Sequence, residues 1–204
     1  MCGRSAVATS QPLAAQVGME ILAQGGNAVD AAIATAAALT VVEPVSNGLG
    51  SDAFAIVWDG ARVHGLNGSG RSPSSASLER LNGAAAVPSL GWAPITVPGA
   101  VSSWAALHQR FGSRPFESLL RPAVELARQG YPVSPMCAAA WSRAMERYRA
   151  LEWAESWRAT FAPGGRAPRP GEIVTLPDHA ATLEAIARST GRELYGGALA
   201  QAIV

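Results

Sequence analysis

The sequence predicts a helix-rich α+β fold on three observations. Residues 28–42 form an alanine-rich run whose only charge is Asp30, and a helix that is apolar around most of its circumference is normally covered on several sides. Residues 54–58 are apolar and are followed by Asp59-Gly60, a pattern typical of a β-hairpin. Much of the remaining chain places apolar residues at helical spacing. We therefore expect one buried helix, one hairpin and several amphipathic helices around them.

The composition narrows the possible functions. Of the 204 residues, 49% are hydrophobic and 15% are charged, which indicates an ordered protein. The net charge of +1 gives no electrostatic footprint for nucleic acid or an acidic membrane, so we expect neither as a partner. All basic residues are arginine, which excludes a P-loop lysine or a Schiff-base lysine from this chain. Cys2 and Cys137 lie far apart and the histidines are isolated, so neither a disulfide scaffold nor a metal site is expected.

The cellular compartment predicted from the N-terminal residues depends on where the true N-terminus lies. It has no apolar run long enough for a signal peptide, and residues 28–42 are too short and too weakly apolar to span a bilayer. We expect a cytoplasmic protein, or a periplasmic or secreted one if the true N-terminus lies upstream.

The N-terminal elements lead into the apolar helix. Residues 5–9 are a short apolar run and are expected to form a first strand. Ser10 is expected to be the N-cap of the first helix, and Gly25-Gly26 ends it because glycine adopts the left-handed conformation at little cost. Asn27, with an acidic residue three positions later, is expected to cap the second helix in a capping box. That helix must end before Pro44.

The hairpin is predicted to contain a buried strand at Phe54–Trp58, a two-residue turn at Asp59-Gly60 and a returning strand at Arg62–Leu66. The serine- and proline-rich residues up to Pro88 are expected to form a surface excursion. Residues 48–53 partly match a dinucleotide-binding fingerprint, but they follow a helix and open a strand, which reverses the order of that motif. We interpret them as a close-packed turn.

The C-terminal half is predicted to be helical in the segments 98–111, 115–129, 135–152 and 178–188 and from about Glu193. Pro122 is expected to interrupt the second of these helices, and residues 153–169 are expected to be irregular. Asp178 is interpreted as a helix cap rather than as the acid partner of His179. The chain reaches Val204 inside a helical pattern, which we interpret as typical of a fragment or of one subunit of a processed protein.

Two features could carry chemistry. Residues 65–73 form a polar, glycine-rich loop at a strand end, and arginine can hold both oxygens of a carboxylate. Ser69 and Arg71 are therefore our candidate substrate-binding residues, against the alternative of an exposed turn. Removal of Met1 would leave Cys2 as an N-terminal nucleophile. That opening resembles class II glutamine amidotransferases over three residues only, and a cysteine without a role is the simpler interpretation.

Several ordered motifs resemble the N-terminal part of the large subunit of gamma-glutamyltranspeptidases. They are Val7–Ala14, Gly25–Ala32 with the sequence Gly-Gly-Asn-Ala-Val-Asp-Ala-Ala, Val42–Pro44, Thr96–Ala100, Arg121–Ala123, Gly130-Tyr131 and Leu194–Gly196. The resemblance covers nearly all of the chain from Ala6. It implies the four-layer αββα fold of N-terminal-nucleophile hydrolases, present here in part, as a single-domain fragment over residues 1–204.

The resemblance also implies a function. In this family a precursor cleaves itself into two subunits, and the threonine exposed at the start of the small subunit attacks a gamma-glutamyl amide such as glutathione. The acyl group then passes to water or to an amino acid, without metal or cofactor. The nucleophile and cleavage site would lie beyond Val204, so no catalytic residue is expected in this chain, which alone would be inactive. The expected partners are the small-molecule amide substrate and the small subunit of the same precursor.

Two departures from the family pattern concern the substrate. Aligned on Pro73, the arginine that holds the substrate's α-carboxylate falls on Ser69, and Arg71 lies two positions later. The run of consecutive glycines before the strand is interrupted, as Gly48-Leu-Gly-Ser-Asp. The leading hypothesis is a gamma-glutamyltransferase-family amidohydrolase. The alternatives are an acyl amidase similar to oxamate amidohydrolase or glutaryl-type cephalosporin acylases, and a truncated, non-catalytic chain.

Overall fold

The computed structural model describes residues 4–81 and 83–204, so the Cys2 hypothesis lies outside the described residues. The helices are α1 Pro12–Ala23, α2 Ala28–Val42, α3 Ala100–Phe111, α4 Phe116–Gln129, α5 Pro135–Tyr148, α6 Glu155–Phe161, α7 Pro177–Ser189, α8 Arg192–Gly196 and α9 Ala198–Ile203. The strands are β1 Ala53–Trp58, β2 Val63–Gly68, β3 Tyr131–Pro132 and β4 Ile173–Val174. Both strand pairs, β1 with β2 and β3 with β4, are antiparallel.

The first two helices confirm most of the N-terminal prediction. Asn27 caps α2, and the capping box is complete because the Asn27 side chain accepts from the Asp30 N–H while the Asp30 carboxylate accepts from the Asn27 N–H. Gly25, at φ +85°, follows the end of α1, and α2 ends before Pro44. The cap predicted at Ser10 is wrong. Gln11 caps α1 through its side-chain oxygen, and the Ser10 hydroxyl donates to Glu43 instead.

The strand predicted at residues 5–9 is also wrong. These residues follow an irregular path in which Val7 packs beside the core, close to Gly18 of α1. None of the described strands pairs with them. A short apolar run becomes a strand only where a neighbour supplies backbone hydrogen bonds, and the sequence pattern does not contain that information.

The hairpin is present, with two differences from the prediction. Trp58 pairs with Val63, so a four-residue connection replaces the two-residue turn. The Asp59 carboxylate shapes it by accepting from the N–H groups of Ala61 and Arg62, each at 2.9 Å. The strand is also not buried on both faces. One face packs toward α3, whereas on the other face Phe54, Ile56 and Trp58 are exposed.

The α4 helix continues through Pro122, which was expected to interrupt it. A proline inside a helix removes one backbone hydrogen bond and costs about 3 kcal/mol. The residues around it, Leu119, Leu120 and Ala123, are fully buried against neighbouring helices, and this burial outweighs the local cost. Gly112 and Gly130 follow the ends of α3 and α4 as predicted.

The region after α5 is more regular than expected. The α5 helix ends at Tyr148 rather than at residue 152, and α6 lies inside the segment predicted to be irregular. Trp157 of α6 stacks edge-on against Tyr148, with ring centroids 5.1 Å apart. The Arg158 guanidinium donates to the carbonyls of Tyr148 and Leu151, which satisfies the end of α5. The α6 helix therefore depends on contacts that sequence spacing does not show.

The core lies between α1, α2, α4 and α7, with α3 beside α2. On α2, apolar side chains are buried all around the helix, as predicted. The buried residues of α2 are Asp30, Ala31, Ile33, Ala34, Thr35, Ala37, Ala38, Thr40, Val41 and Val42. No helix within the described residues combines the length and apolar character required to cross a bilayer.

Candidate functional site

The loop Asn67–Pro73, which we call the Ser69 loop, leaves β2 and carries both predicted substrate-binding residues. The Ser69 N–H donates to the side-chain oxygen of Asn67 at 3.0 Å. The Ser69 carbonyl accepts from the Thr96 hydroxyl at 3.2 Å. Ser69 is half-buried, whereas Arg71 is exposed. The loop backbone is therefore held from both sides, and the Arg71 side chain is directed to solvent.

Glycines allow the Ser69 loop to approach the start of α3 very closely. A Cβ atom on Gly99 would lie 1.9 Å from the Gly68 carbonyl oxygen, and one on Gly70 would lie 2.0 Å from the Val97 carbonyl oxygen. Gly70 also has φ +76°, a conformation that side chains rarely adopt. The hydrogen bond from the Val97 N–H to the Arg71 carbonyl, at 2.9 Å, also holds the loop against residues 96–99. We call these contacts, together with the hydrogen bond from Thr96 to Ser69, the clasp.

The glycine-rich turn before β1 supports the same region. The Ser51 hydroxyl is hydrogen-bonded within its own turn to the N–H and carbonyl of Gly48. The Ser51 carbonyl accepts from the N–H groups of Gly99 and Ala100 at 3.1 and 2.8 Å. Residues 48–53 form the turn that the sequence predicted, but the prediction of close packing is wrong, because a Cβ at Gly50 would meet no atom within 4 Å and one at Gly48 would make only ordinary contacts. Through the Ser51 carbonyl, these residues hold the start of α3.

The Arg71 guanidinium is available to a ligand. None of the carboxylates in the described part of the chain forms an ion pair with it. The Ser69 loop itself contains one cation and no acidic residue. Such a loop can bind a carboxylate through a bidentate contact and contains no carboxylate to pair with an ammonium group.

A cluster of Asp59, His64 and Arg110 was missed by sequence reasoning. His64 Nε2 lies 2.6 Å from Asp59 Oδ2, and Arg110 donates to His64 Nδ1 at 3.0 Å. The hydrogen bond from His64, followed by those from the Arg62 and Ala61 N–H groups, holds the pKa of Asp59 well below its usual range. Both ring nitrogens are occupied, so we interpret the cluster as the attachment of the hairpin to α3. The Asp59 to His64 spacing across a hairpin could have indicated one pair, but the contact with Arg110 could not.

Asp178 and His179 do not form an acid–base pair, and Asp178 is not the cap that the sequence predicted. Leu176 occupies the N-cap position of α7, so Asp178 lies in the first turn, where a carboxylate interacts favourably with the helix dipole. His179 Nε2 lies 3.0 Å from the Thr40 hydroxyl, which itself donates to the Ala37 carbonyl. His179 Nε2 is therefore the donor, and burial lowers the pKa of His179 to about 4.

The Asn27–Asp30 signature has a structural role. Asp30 is fully buried and accepts hydrogen bonds from the Ser113 N–H and hydroxyl, besides closing the capping box. Burial opposes ionisation, but the hydrogen bonds from Ser113, Asn27 and Arg114 outweigh it, so the pKa of Asp30 lies below its usual value. The Asn27 amide also donates to the Phe111 carbonyl at 2.6 Å. The signature thus fastens the start of α2 to the α3–α4 connection.

No group of three or more histidine, cysteine or acidic side chains with metal-binding geometry occurs among residues 4–81 and 83–204. Three surface grooves of about 200–280 Å³ lie between α1 and α4, beside β4 and between α4 and α7. Their lining includes no residue of the Ser69 loop.

A family model described as gamma-glutamyltranspeptidase matches residues 14–204. The chain belongs to the gamma-glutamyltranspeptidase family.

Curated relatives of this chain differ in the activities that their names describe. The chain is 39% identical over 196 residues to the glutathione hydrolase-like YwrD proenzyme of Bacillus subtilis (strain 168), covering 94% of this chain and 37% of that protein. It is 32% identical to the acylase ACY 1 proenzyme of Pseudomonas sp. (strain SE83), covering 98% of this chain and 38% of that protein. The chain thus spans well under half the length of either relative.

Solved structures give the fold of this gamma-glutamyltranspeptidase-family chain. It superposes with a TM-score of 0.92 and 48% identity on the cephalosporin acylase from Bacillus halodurans, covering 100% of this chain and 40% of the other. It superposes with a TM-score of 0.90 and 27% identity on the Helicobacter pylori gamma-glutamyltranspeptidase, covering 59% of that chain. The predicted fold class is confirmed: α+β, from the four-layer αββα N-terminal-nucleophile hydrolases, with this chain supplying a helix-rich N-terminal part.

Proposed function

We propose that this chain is the N-terminal part of the large subunit of an amidohydrolase that cleaves amides of acyl groups ending in a carboxylate. The observation that carries the proposal is the Ser69 loop. By the family resemblance, Ser69 stands where the family has its carboxylate-binding arginine, and Arg71, two positions later, has an exposed guanidinium. A glutaryl-type acyl group, with a lone terminal carboxylate, matches a loop that offers one cation and no anion. A gamma-glutamyl group also carries an ammonium, for which the loop has no acidic partner.

The similarity to acylases supports this substrate class. Identity to the cephalosporin acylase from Bacillus halodurans is 48%, against 27% to the Helicobacter pylori gamma-glutamyltranspeptidase. Loss of the family's arginine clamp would cost on the order of 2–5 kcal/mol if a charged substrate group stayed buried without a partner. Glutathione is therefore expected to be a poor substrate.

The reaction needs a nucleophile from outside this chain. In the proposed enzyme, a threonine at the start of the small subunit attacks the amide carbonyl, and its free amine accepts the hydroxyl proton. The substrate's amine takes that proton and leaves as the C–N bond breaks, and an acyl-threonine ester remains. Water then hydrolyses the ester to the free acid and restores the threonine hydroxyl. The Ser69 loop binds the far end of the acyl group and contributes to its orientation. The small subunit of the same precursor is thus the proposed partner. The cytoplasmic location remains a prediction.

The exposed face of the hairpin fits that partner. Ile56 is 83% exposed and Phe54 is 66% exposed, although both belong to a strand whose opposite face packs on α3. In a four-layer αββα fold, two sheets face each other between the outer helices. We assign the apolar hairpin face to the contact with the sheet that the rest of the precursor supplies.

Three p-nitroanilides test the substrate in the full-length, self-processed protein. The pentanoyl, glutaryl and gamma-glutamyl compounds differ first by one carboxylate and then by one amino group. We expect kcat/KM for the glutaryl compound to exceed the other two by at least about tenfold, because hydrogen bonds to a charged group contribute about 1.5–3 kcal/mol. Arg71→Gln should reduce the glutaryl value to that of the pentanoyl compound.

The matched control is Arg80→Gln, since Arg80 is an exposed arginine of the same surface excursion. It should leave all three values unchanged. A glutaryl preference that survives Arg71→Gln would remove this loop from substrate binding. Failure of the full-length protein to hydrolyse any of the three compounds would contradict the amidohydrolase assignment itself.

Gamma-glutamyl amides remain the second candidate, because relatives such as the YwrD proenzyme are described as glutathione hydrolase-like. Gamma-glutamyl turnover equal to or above glutaryl turnover would favour this candidate. If that turnover disappears in Arg71→Gln, the displaced arginine holds the α-carboxylate.

A further inference from the structure

We propose that Thr96 is a positioning residue for substrate binding, because its hydroxyl fixes the peptide plane that joins Ser69 to Gly70. This inference rests on the proposed function of the Ser69 loop. Thr96 itself is not expected to touch the substrate. It acts by determining the direction in which Ser69 and Arg71 leave the backbone.

The geometry of the clasp supports this role. The Thr96 hydroxyl donates to the Ser69 carbonyl, and the next backbone N–H, from Val97, donates to the Arg71 carbonyl. Two hydrogen bonds from adjacent residues thus hold the carbonyls on either side of Gly70. The Val97 bond uses the backbone and persists in any side-chain variant except proline. The Thr96 bond is the one that a side chain supplies, so it is the one that a substitution can remove.

The conformation of Gly70 makes the Thr96 hydrogen bond important for the direction of the Arg71 side chain. With φ at +76°, Gly70 adopts a left-handed backbone conformation between Ser69 and Arg71. Glycine is also the residue with the greatest backbone freedom, so this conformation needs support from its surroundings. A Ser69 carbonyl released from Thr96 can rotate its peptide plane, which changes the Gly70 torsion and moves the origin of the Arg71 side chain. A bidentate contact with a carboxylate tolerates little misorientation.

The start of α3 provides the rigid side of the clasp. The Tyr195 hydroxyl accepts from the Ser102 N–H at 2.8 Å and donates to the Pro98 carbonyl at 2.9 Å. With Ser51 bound to the Gly99 and Ala100 N–H groups, residues 98–102 are held by two separate segments of the chain. Thr96 therefore joins the substrate-binding loop to a fixed support rather than to a second free loop.

Thr96→Val and Thr96→Ser test the proposal in the full-length enzyme. Valine keeps the shape and loses the donor, whereas serine keeps the donor. We expect Thr96→Val to raise KM for glutaryl-p-nitroanilide about five- to tenfold, with kcat and the pentanoyl kcat/KM both within twofold of wild type. Thr96→Ser should restore the glutaryl KM to within twofold. An equal loss on both substrates would identify Thr96 as a general scaffold residue and overturn the proposal.

Hydrogen exchange gives a readout that does not depend on activity. In Thr96→Val, a peptide spanning residues 69–71 should exchange faster than in wild type at an unchanged Tm, and Thr96→Ser should not. Gly70→Ala should show a larger effect, and Gly164→Ala is its control, because a Cβ at Gly164 has no atom within 4 Å. Suppose that Thr96→Val exchanges faster but the wild-type enzyme shows no preference for the glutaryl compound. That result would reject the proposed function and retain the clasp. An intact, Arg71-dependent preference with unchanged exchange and unchanged KM would reject the role of Thr96 alone.

Discussion

The helix α2 and the strand β1 are neighbours in sequence and similar in composition, yet they differ in how much of their surface this chain covers. Ile33 of α2 is 1% exposed, and Ile56 of β1 is 83% exposed. The α2 helix is enclosed by α1, α3 and α4, and its polar groups Asp30 and Thr40 form hydrogen bonds with other parts of the same chain. The hairpin packs one face on α3 and leaves the other to solvent. This chain covers α2 on several sides, whereas it leaves one apolar face of β1 exposed.

The first test of this comparison is Asp30→Ala, for which we expect the largest loss of stability. It would remove the acceptor of three hydrogen bonds, from the Ser113 N–H and hydroxyl and from the Asn27 N–H. Since a hydrogen bond to a charged group contributes about 1.5–3 kcal/mol, the free energy of unfolding should fall by about 3–5 kcal/mol. Urea denaturation of the full-length protein measures this change in the free energy of unfolding. Asp178→Ala is the matched control, since Asp178 is also in the first turn of a helix but is exposed, and it should cost about 0.5 kcal/mol. Similar losses for the two variants would contradict the structural role of Asp30.

The second test compares two isoleucine-to-alanine variants. Ile33→Ala should cost about 3 kcal/mol in any context, because the cavity forms in a core that this chain builds. Ile56→Ala should cost nearly as much in the full-length, processed enzyme and should weaken the association of the two subunits. A cost for Ile56→Ala below about 0.5 kcal/mol there would show that the hairpin face stays exposed. Denaturant unfolding and subunit retention on gel filtration measure the two effects.

The third test uses the pH dependence of His179, which packs against Thr40 of α2. Its pKa in the folded protein is about 4, below the ordinary 6.5, so the unfolded chain binds the proton more readily. Stability from this group is therefore complete above pH 6.5 and is lost as the pH falls toward 4. Between pH 7 and pH 4.5 the loss should be about 2 kcal/mol. His179→Gln should remove this part of the acid dependence, and parallel stability curves for wild type and variant would contradict it.

The sequence predicted well those features that depend on local chemistry. The cap at Asn27, the end of α1 at Gly25 and the limit of α2 before Pro44 each follow from one or two residues with strong backbone preferences. The composition of the loop that carries Ser69 and Arg71 indicated a substrate-binding role, and that role stays a prediction. The family followed from the order of several motifs, which no single residue carries.

The errors arose where distant contacts decide the outcome. Pro122 was expected to break a helix, but fully buried neighbours hold α4 together. The α6 helix depends on the stacking of Trp157 on Tyr148, and residues 5–9 have no strand beside them. In the candidate site, the clasp between Thr96 and Ser69 joins residues 27 positions apart. No periodicity or spacing rule could have indicated it.

The glycines around Ser69 have a consequence for how this loop can change. Gly68 and Gly70 leave no room for a Cβ, since one would meet the Ala53 carbonyl oxygen at 2.8 Å and the other the Val97 carbonyl oxygen at 2.0 Å. Of the three successive positions 68, 69 and 70, only position 69 can vary without a clash between a side chain and the backbone. A mutational library aimed at acyl specificity can therefore saturate positions 69 and 71 and keep Gly68 and Gly70 fixed. Evolution of substrate preference through this loop is limited to the same two positions.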